Sequence, residues 1–303
     1  MKALKKILLI IVCSFILIKI IGFFLDKGFK NYYKPVFKKM DYVFKNDGYN
    51  DIIYMGNSRA NWGINPYFID SICKTKSYNL GFGGTDIISS VLLLQSYLIH
   101  HPPPRFVVYS YDHRIFQATL RLELAPIFFY YARYKPIREV LKRFGYHQTF
   151  LRFLPDVKFC FFNDYYRTCI VKGLAGESMN NNAVKQLPIE KYSYDYRGFI
   201  NYQTNGLNMA DKGDTTLPSI NPESIKSFNT LIQLCRQNKI QLIFIYPPEF
   251  YKQEQLDSKK ISERKIIIDS MLLSAFKKNN FYNKRFDTKD FSADDFIDPI
   301  HLN

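Results

Sequence analysis

Three residues carry the side chains of a nucleophilic site, and they lie at opposite ends of a 303-residue chain: Ser58 near the start, Asp298 and His301 near the end. Ser58 follows the run Asp51-Ile52-Ile53-Tyr54-Met55-Gly56-Asn57. A β-rich apolar run that stops at a glycine and hands a serine to a helix start presents a hydroxyl beyond the carboxyl edge of a parallel sheet, where open α/β folds bind ligands. The unsatisfied N–H groups of a first helical turn face the same space and can meet a developing oxyanion. By itself the pattern also fits a turn serine that caps a helix. Asp298 and His301 stand three residues apart, close enough to share one loop, with the carboxylate on one imidazole nitrogen and the other nitrogen free. That is the base-and-orienter half of a serine triad. A free hydroxyl is a poor nucleophile at neutral pH, so the imidazole takes its proton while the carboxylate fixes the tautomer and stabilises the imidazolium.

The order of these blocks, serine first and the Asp/His pair last with a glycine-rich turn between them, resembles the SGNH/GDSL hydrolase superfamily. Gly56-Asn57-Ser58 stands where that family has Gly-Asp-Ser. Asn79-Leu80-Gly81-Phe82-Gly83-Gly84 matches its second block, Asn-x-Gly-x-x-Gly, and Asp298-Pro299-Ile300-His301 its last, Asp-x-x-His. The resemblance implies an α/β fold, a three-layer doubly wound sandwich with a parallel central sheet. It also implies Ser58 as nucleophile, His301 as general base, Asp298 as orienter, and the backbone N–H groups of Ser58 and Gly84 as oxyanion donors, with no metal or cofactor. Two positions depart from the family. Asn57 replaces its aspartate, which changes the hydrogen bonding around the triad but not the triad. Tyr111 falls where the third block places an oxyanion asparagine, which leaves that hole one donor short unless Tyr111, His113 or the following insertion supplies it.

Membrane-tethered proteins of this kind, such as those of alginate O-acetylation and teichoic acid alanylation, act beside a membrane-bound O-acyltransferase. The resemblance therefore implies an acyltransferase or esterase working on acyl, chiefly acetyl, esters of a cell-envelope polysaccharide. A non-catalytic glycan-binding or assembly protein on a degenerate fold is the alternative, and the Tyr111 departure leaves room for it. Further candidates for contacts to substrate at the same sheet edge are Asn57, Arg59, Tyr111, Asp112, His113 and Glu249. Arg59 stands either to bind an anionic group or to pair with Asp86 or Asp112. His113 follows strand three, and Glu249 follows Pro247-Pro248; each reads as a substrate contact or as a structural residue.

The elements that must position these residues follow an alternating pattern. Asp51–Met55 reads as a strand, Pro66–Cys73 as a short helix, Ser77–Leu80 as a strand, Thr85–Ile99 as a helix with apolar residues at helical spacing, and Arg105–Tyr111 as a strand. Such β-α-β-α-β order implies a parallel sheet with right-handed crossovers. An insertion over 112–220, rich in Phe, Tyr, Arg and Lys, breaks the rhythm. It is expected as a lid, an acceptor-binding wall or a membrane-facing surface over the sheet, or as an aromatic mini-core. Asn221-Pro222-Glu223 then starts a helix, Ile240–Tyr246 is a buried strand, Ile261–Phe276 a helix, and Phe281–Phe286 leads to the final loop.

Residues 1–28 read as a transmembrane anchor. Lys2, Lys5 and Lys6 precede an apolar run from Ile7 to Leu25, as long as the ~20 residues that a bilayer core requires. Positive charge before the run places the N-terminus in the cytoplasm and the domain over 51–303 outside, at a bacterial inner membrane. No cleavage site follows, so the anchor is retained. Lys19 within the run either marks a contact with another membrane protein or snorkels to the interface. Residues 29–50, basic and aromatic, are expected as a juxtamembrane stem lying against headgroups or acting as a spacer. The 47% of hydrophobic residues suffices for a full core. The +15 charge fits an anionic partner or an AT-rich coding bias, and without zinc-finger spacing or an arginine-rich arm no nucleic-acid partner is expected. Of five cysteines none forms a Cys-x-x-Cys pair, so no structural zinc is expected; Cys160 and Cys169 are near enough to be bridged, though free buried thiols fit as well.

Overall fold

The structure, a computed structural model, describes residues 2–45, 48–112, 114–116, 125–143, 158–159, 162–178, 220–248, 259–279, 282–285, 296–298 and 301–302. These residues form two compact units: Met1–Phe37 with Ala125–Asn182, and Lys38–Leu124 with Ala183–Asn303.

The second unit is α/β with an all-parallel sheet. Its strands are β1 (Ile52–Gly56), β2 (Ser77–Asn79), β3 (Phe106–Ser110), β4 (Gln241–Tyr246) and β5 (Tyr282–Arg285), in the order β2-β1-β3-β4-β5. β5 occupies the stretch expected only as a lead into the last loop. Alternation along the strands sends side chains to two faces. Tyr54 and Val108, with Ile52, Ile243 and Ile245 beside them, pack with Ala60 of α3 (Ser58–Gly63), Ile64, and Ile69 of α4 (Pro66–Cys73). On the opposite face, Tyr109 donates its hydroxyl to Ser90 of α5 (Ile87–His100) at 3.5 Å. On that face too, Phe244 lies 5.6 Å from Phe228 in the long helix Pro222–Gln237. Helix starts follow the expected chemistry. Asn65 and Asn221 each cap a helix whose first residue is proline, and Asp86 caps α5 through Ser89 N–H. The half of α2 (Lys34–Phe44) that belongs to this unit is built into its core. Met40 and Val43 are fully buried, Tyr42 stacks on Tyr78, and Tyr42 O is 2.8 Å from a ring nitrogen of His101. The stretch expected as a stem thus supplies core residues, because its apolar positions recur at helical spacing.

The first unit is built on α1 (Lys2–Tyr32), an apolar helix long enough to cross a membrane. Its apolar side chains from Leu4 to Phe24 are exposed, and burial sets in beyond them. Lys19 Nζ lies over the Phe15 ring, one turn toward the N-terminus. The stretch expected as an insertion over 112–220 contributes α6 (Ala125–Phe128), a 3-10 turn at Phe129–Tyr131, α7 (Lys135–Arg143) and α8 (Asp164–Leu174). They form an aromatic mini-core around Phe29, whose ring is 4.8 Å from both Tyr33 and Phe162, and 5.7 Å from Tyr130 in a stacked pair. Lys158 pairs with Asp26 at 2.9 Å above the Tyr130 ring. Where α1 crosses α8, glycines meet. A Cβ on Gly173 would lie 1.8 Å from the Gly28 carbonyl oxygen, so only two glycines allow this approach. Cys169, buried here, is a free thiol 3.5 Å from the Tyr33 hydroxyl. Cys160 lies outside the described residues.

Candidate active site

In the order β2-β1-β3-β4-β5 the chain leaves β1 for one side and returns to the other. The carboxyl ends of β1 and β3 therefore flank a topological switch point, where open sheets leave a crevice. Gly56 ends β1 opposite Ser110 of β3. Its φ of +136°, and the 2.4 Å that would separate a Cβ from the Ser110 carbonyl oxygen, restrict the position to glycine. The sharp turn delivers Asn57 as the cap of α3 and Ser58 as its first residue, half-buried at the rim.

Asn57 uses both ends of its amide. Its Oδ1 accepts the Arg59 N–H at 3.0 Å, and its Nδ2 donates to Asp112 Oδ2 at 2.6 Å, joining the ends of β1 and β3. Asp112 Oδ1 in turn accepts the Arg114 N–H at 2.7 Å. An amide at position 57 is accounted for by this pair, since an amide can donate to the carboxylate opposite and an ionised aspartate could not. Arg59, only 4% exposed, lays its guanidinium 5.4 Å over the Tyr246 ring. Asp86 is committed to capping Ser89 N–H at 2.7 Å, and burial holds its carboxyl above the usual range.

The glycine turn lies against this corner. Thr85 Oγ1 and Phe82 N–H both donate to the Gly56 carbonyl oxygen at 3.1 Å, and Gly84 takes a left-handed φ of 68°. Asn79 ties the turn to α3: its Oδ1 accepts Gly81 N–H at 2.8 Å, and its Nδ2 donates to the carbonyls of Ala60 and Ile64, both at 2.7 Å. The first and second sequence blocks are thus hydrogen-bonded to each other.

The last block forms a hairpin rather than a loop. β6 (Phe296–Asp298) pairs antiparallel with β7 (His301–Leu302), with Asp298 opposite His301. Residues of β7 and of α3, the helix that begins with Ser58, approach within 8 Å between Cα atoms. The chain ends that hold the three chemistry-bearing residues therefore meet at the backbone level. Tyr111 is a core residue, 2% exposed, with its ring edge-on to Phe244 at 6.1 Å and to Tyr246 at 5.3 Å. His113 and Glu249 lie outside the described residues.

One residue escaped the sequence reading. Lys39 of α2 is 1% exposed and donates from Nζ to Asn61 Oδ1 at 2.6 Å and to the Gly81 carbonyl oxygen at 2.5 Å. Burial pushes its pKa well below 10.5. The signal was present: Lys39 sits on the same helical stripe as Val36, Met40 and Val43. No known family model matches this sequence, and no curated protein matches it.

Proposed function

We propose that this chain is a membrane-anchored serine acyltransferase or esterase of SGNH-like, three-layer architecture, acting on acyl esters of a cell-envelope polysaccharide. The observation that carries the reading is the approach of β7, with His301, to α3, with Ser58, at the switch point of a parallel sheet. In this scheme Ser58 Oγ attacks the acyl carbonyl carbon while His301 takes the hydroxyl proton and Asp298 orients the imidazole. The tetrahedral oxyanion is met by the N–H groups of Ser58 and Gly84, one from each of the two bonded turns. Its collapse breaks the ester bond, and His301 returns the proton to the departing alcohol. A sugar hydroxyl, or water, then attacks the acyl-Ser58 intermediate with His301 again as base, which releases the product and restores the serine.

The anchor supports an extracytoplasmic setting at a bacterial inner membrane. The exposed apolar stretch from Leu4 to Phe24 covers about 30 Å as a helix, the thickness of a bilayer core, and the lysines precede it. Acetyl-CoA is absent outside the cytoplasm, so an acyl donor has to come through the membrane, as a membrane-bound O-acyltransferase would provide. A non-catalytic, glycan-binding reading draws on Tyr111, whose buried ring stands where the family places an oxyanion asparagine. A fluorophosphonate probe separates the two. It bonds to Ser58 Oγ with loss of fluoride only if the serine is activated. Labelling of the full chain that Ser58→Ala abolishes without lowering the melting temperature is expected, and an unlabelled wild-type chain defeats the enzymatic reading.

A further inference from the structure

A lysine on the inner stripe of α2 is an expensive choice. Taking an ammonium out of water costs several kcal/mol even after relaxation, and an apolar side chain of similar length would avoid that cost. Among the described residues no carboxylate pairs with Lys39. Its ammonium instead meets the Asn61 side-chain oxygen, the Gly81 carbonyl and, 4.8 Å away, the face of the Phe82 ring.

The two acceptors belong to different segments. Asn61 lies in α3, within one turn of Ser58, and Gly81 opens the turn that ends at Gly84. These segments are in van der Waals contact already: a Cβ on Gly81 would lie 2.7 Å from the Ala60 Cβ. The peptide that Lys39 grips passes the interaction on. Its carbonyl, on Gly81, accepts from the lysine, and its N–H, on Phe82, donates to the Gly56 carbonyl oxygen at 3.1 Å, next to Asn57. A cationic donor polarises such a chain and strengthens the next bond along it.

We propose that Lys39 is a positioning residue that clamps α3 to the Gly81–Gly84 turn and so sets the spacing of the Ser58 and Gly84 N–H groups at the oxyanion site. This rests on the acyl-transfer reading. A preformed pair of donors stabilises the oxyanion without reorganising during the reaction, and a displacement of about 1 Å can cost about 100-fold in rate. The helix that follows the membrane anchor is then part of the site.

The test compares wild type, Lys39→Met, Lys39→Gln and Ser58→Ala as full-length chains in detergent, by fluorophosphonate labelling kinetics and thermal unfolding. Met keeps the length of the stem and spares the desolvation of a buried ammonium, which offsets part of the cost of leaving the Asn61 and Gly81 oxygens without this donor. The expected result is, whatever the modest change in melting temperature, a maximal labelling rate per folded molecule lower by tenfold or more, with an unchanged half-saturating probe concentration. A lysine with a structural role only would lower the melting temperature while each folded molecule reacted at the wild-type rate, and that result overturns the inference. So does an unchanged rate in both variants. If Lys39→Met does not fold, Lys39→Gln, which keeps a donor without the charge, decides by the same criteria. Wild type that labels while both Lys39 variants label equally fast removes this inference alone. Wild type without Ser58-dependent labelling removes the acyl-transfer reading and this inference with it.

Discussion

An aspartate at position 57 would face Asp112 across 2.6 Å, where Asn57 now donates a hydrogen bond. Two carboxylates at that distance cannot both ionise cheaply, so the pKa of one would rise. Asn57→Asp is therefore expected to destabilise the fold by about 2 kcal/mol at neutral pH, the cost of a lost buried hydrogen bond plus like-charge contact. The sign follows from proton binding. With a carboxyl pKa raised in the folded state, the folded chain holds more protons than the unfolded one between the two values. The deficit is thus complete above the raised pKa and shrinks as the pH falls through it. Thermal unfolding of wild type and variant from neutral to mildly acid pH measures this. Parallel melting curves at all pH values would show that residue 57 does not face the Asp112 carboxylate in solution. Ser58 itself is held by local means, the φ of Gly56 and the Asn57 cap, whereas its environment is made by residues distant in sequence.

At the scale of elements, two contacts carry much of the architecture. The hairpin β6–β7 closes against α3, which joins the last block of the chain to the first. In the first unit, α1 and α8 cross at Gly28 and Gly173, and Asn31 Nδ2 reaches the Gly173 carbonyl at 3.3 Å. Gly173→Ala puts a methyl group into the Gly28 backbone and forces the helices apart. Overpacking of this kind costs about 1–3 kcal/mol. Limited proteolysis of the full chain in detergent is expected to cut the segment around α8 faster in the variant than in wild type. Equal rates of cutting would mean that the crossing is looser than the structure shows. The cluster around Phe29 explains why this stretch is so rich in aromatic residues: large rings with 4.8–5.9 Å centroid spacing make a core from few residues.

For the molecule as a whole, the proposed orientation in the membrane rests on charge. Lys2, Lys5 and Lys6 stand before the apolar helix, and by the positive-inside rule the proposal holds them in the cytoplasm. Alkaline phosphatase joined after Asn50 is expected to be active in a bacterial host. Activity of a cytoplasmic reporter at that point, with an inactive phosphatase, would reverse the orientation and place the site on the cytoplasmic side.

The alternation of strands and helices, the parallel sheet, the apolar N-terminal helix and the helix starts at Asn65-Pro66 and Asn221-Pro222 were legible in the sequence, because periodicity, turn residues and caps act over a few positions. The arrival of Ser58 at the carboxyl end of β1 was legible for the same reason. The cap of α3, by contrast, is Asn57 and not Ser58, and Asp86 caps α5 where a pairing with Arg59 was one expectation. Tertiary structure alone decided the rest. Lys39 finds its acceptors 22 and 42 residues away, and Asn57 finds Asp112 at a separation of 55. Tyr111 turns toward Phe244 and Tyr246 because strand parity at β3 and β4 puts all three on one side of the sheet. β5 escaped because its residues, Tyr282-Asn283-Lys284-Arg285, lack an apolar pattern and gain their strand form from pairing with β4. Pairings of that kind depend on which distant backbone or side chain folding brings alongside, and no local pattern encodes it.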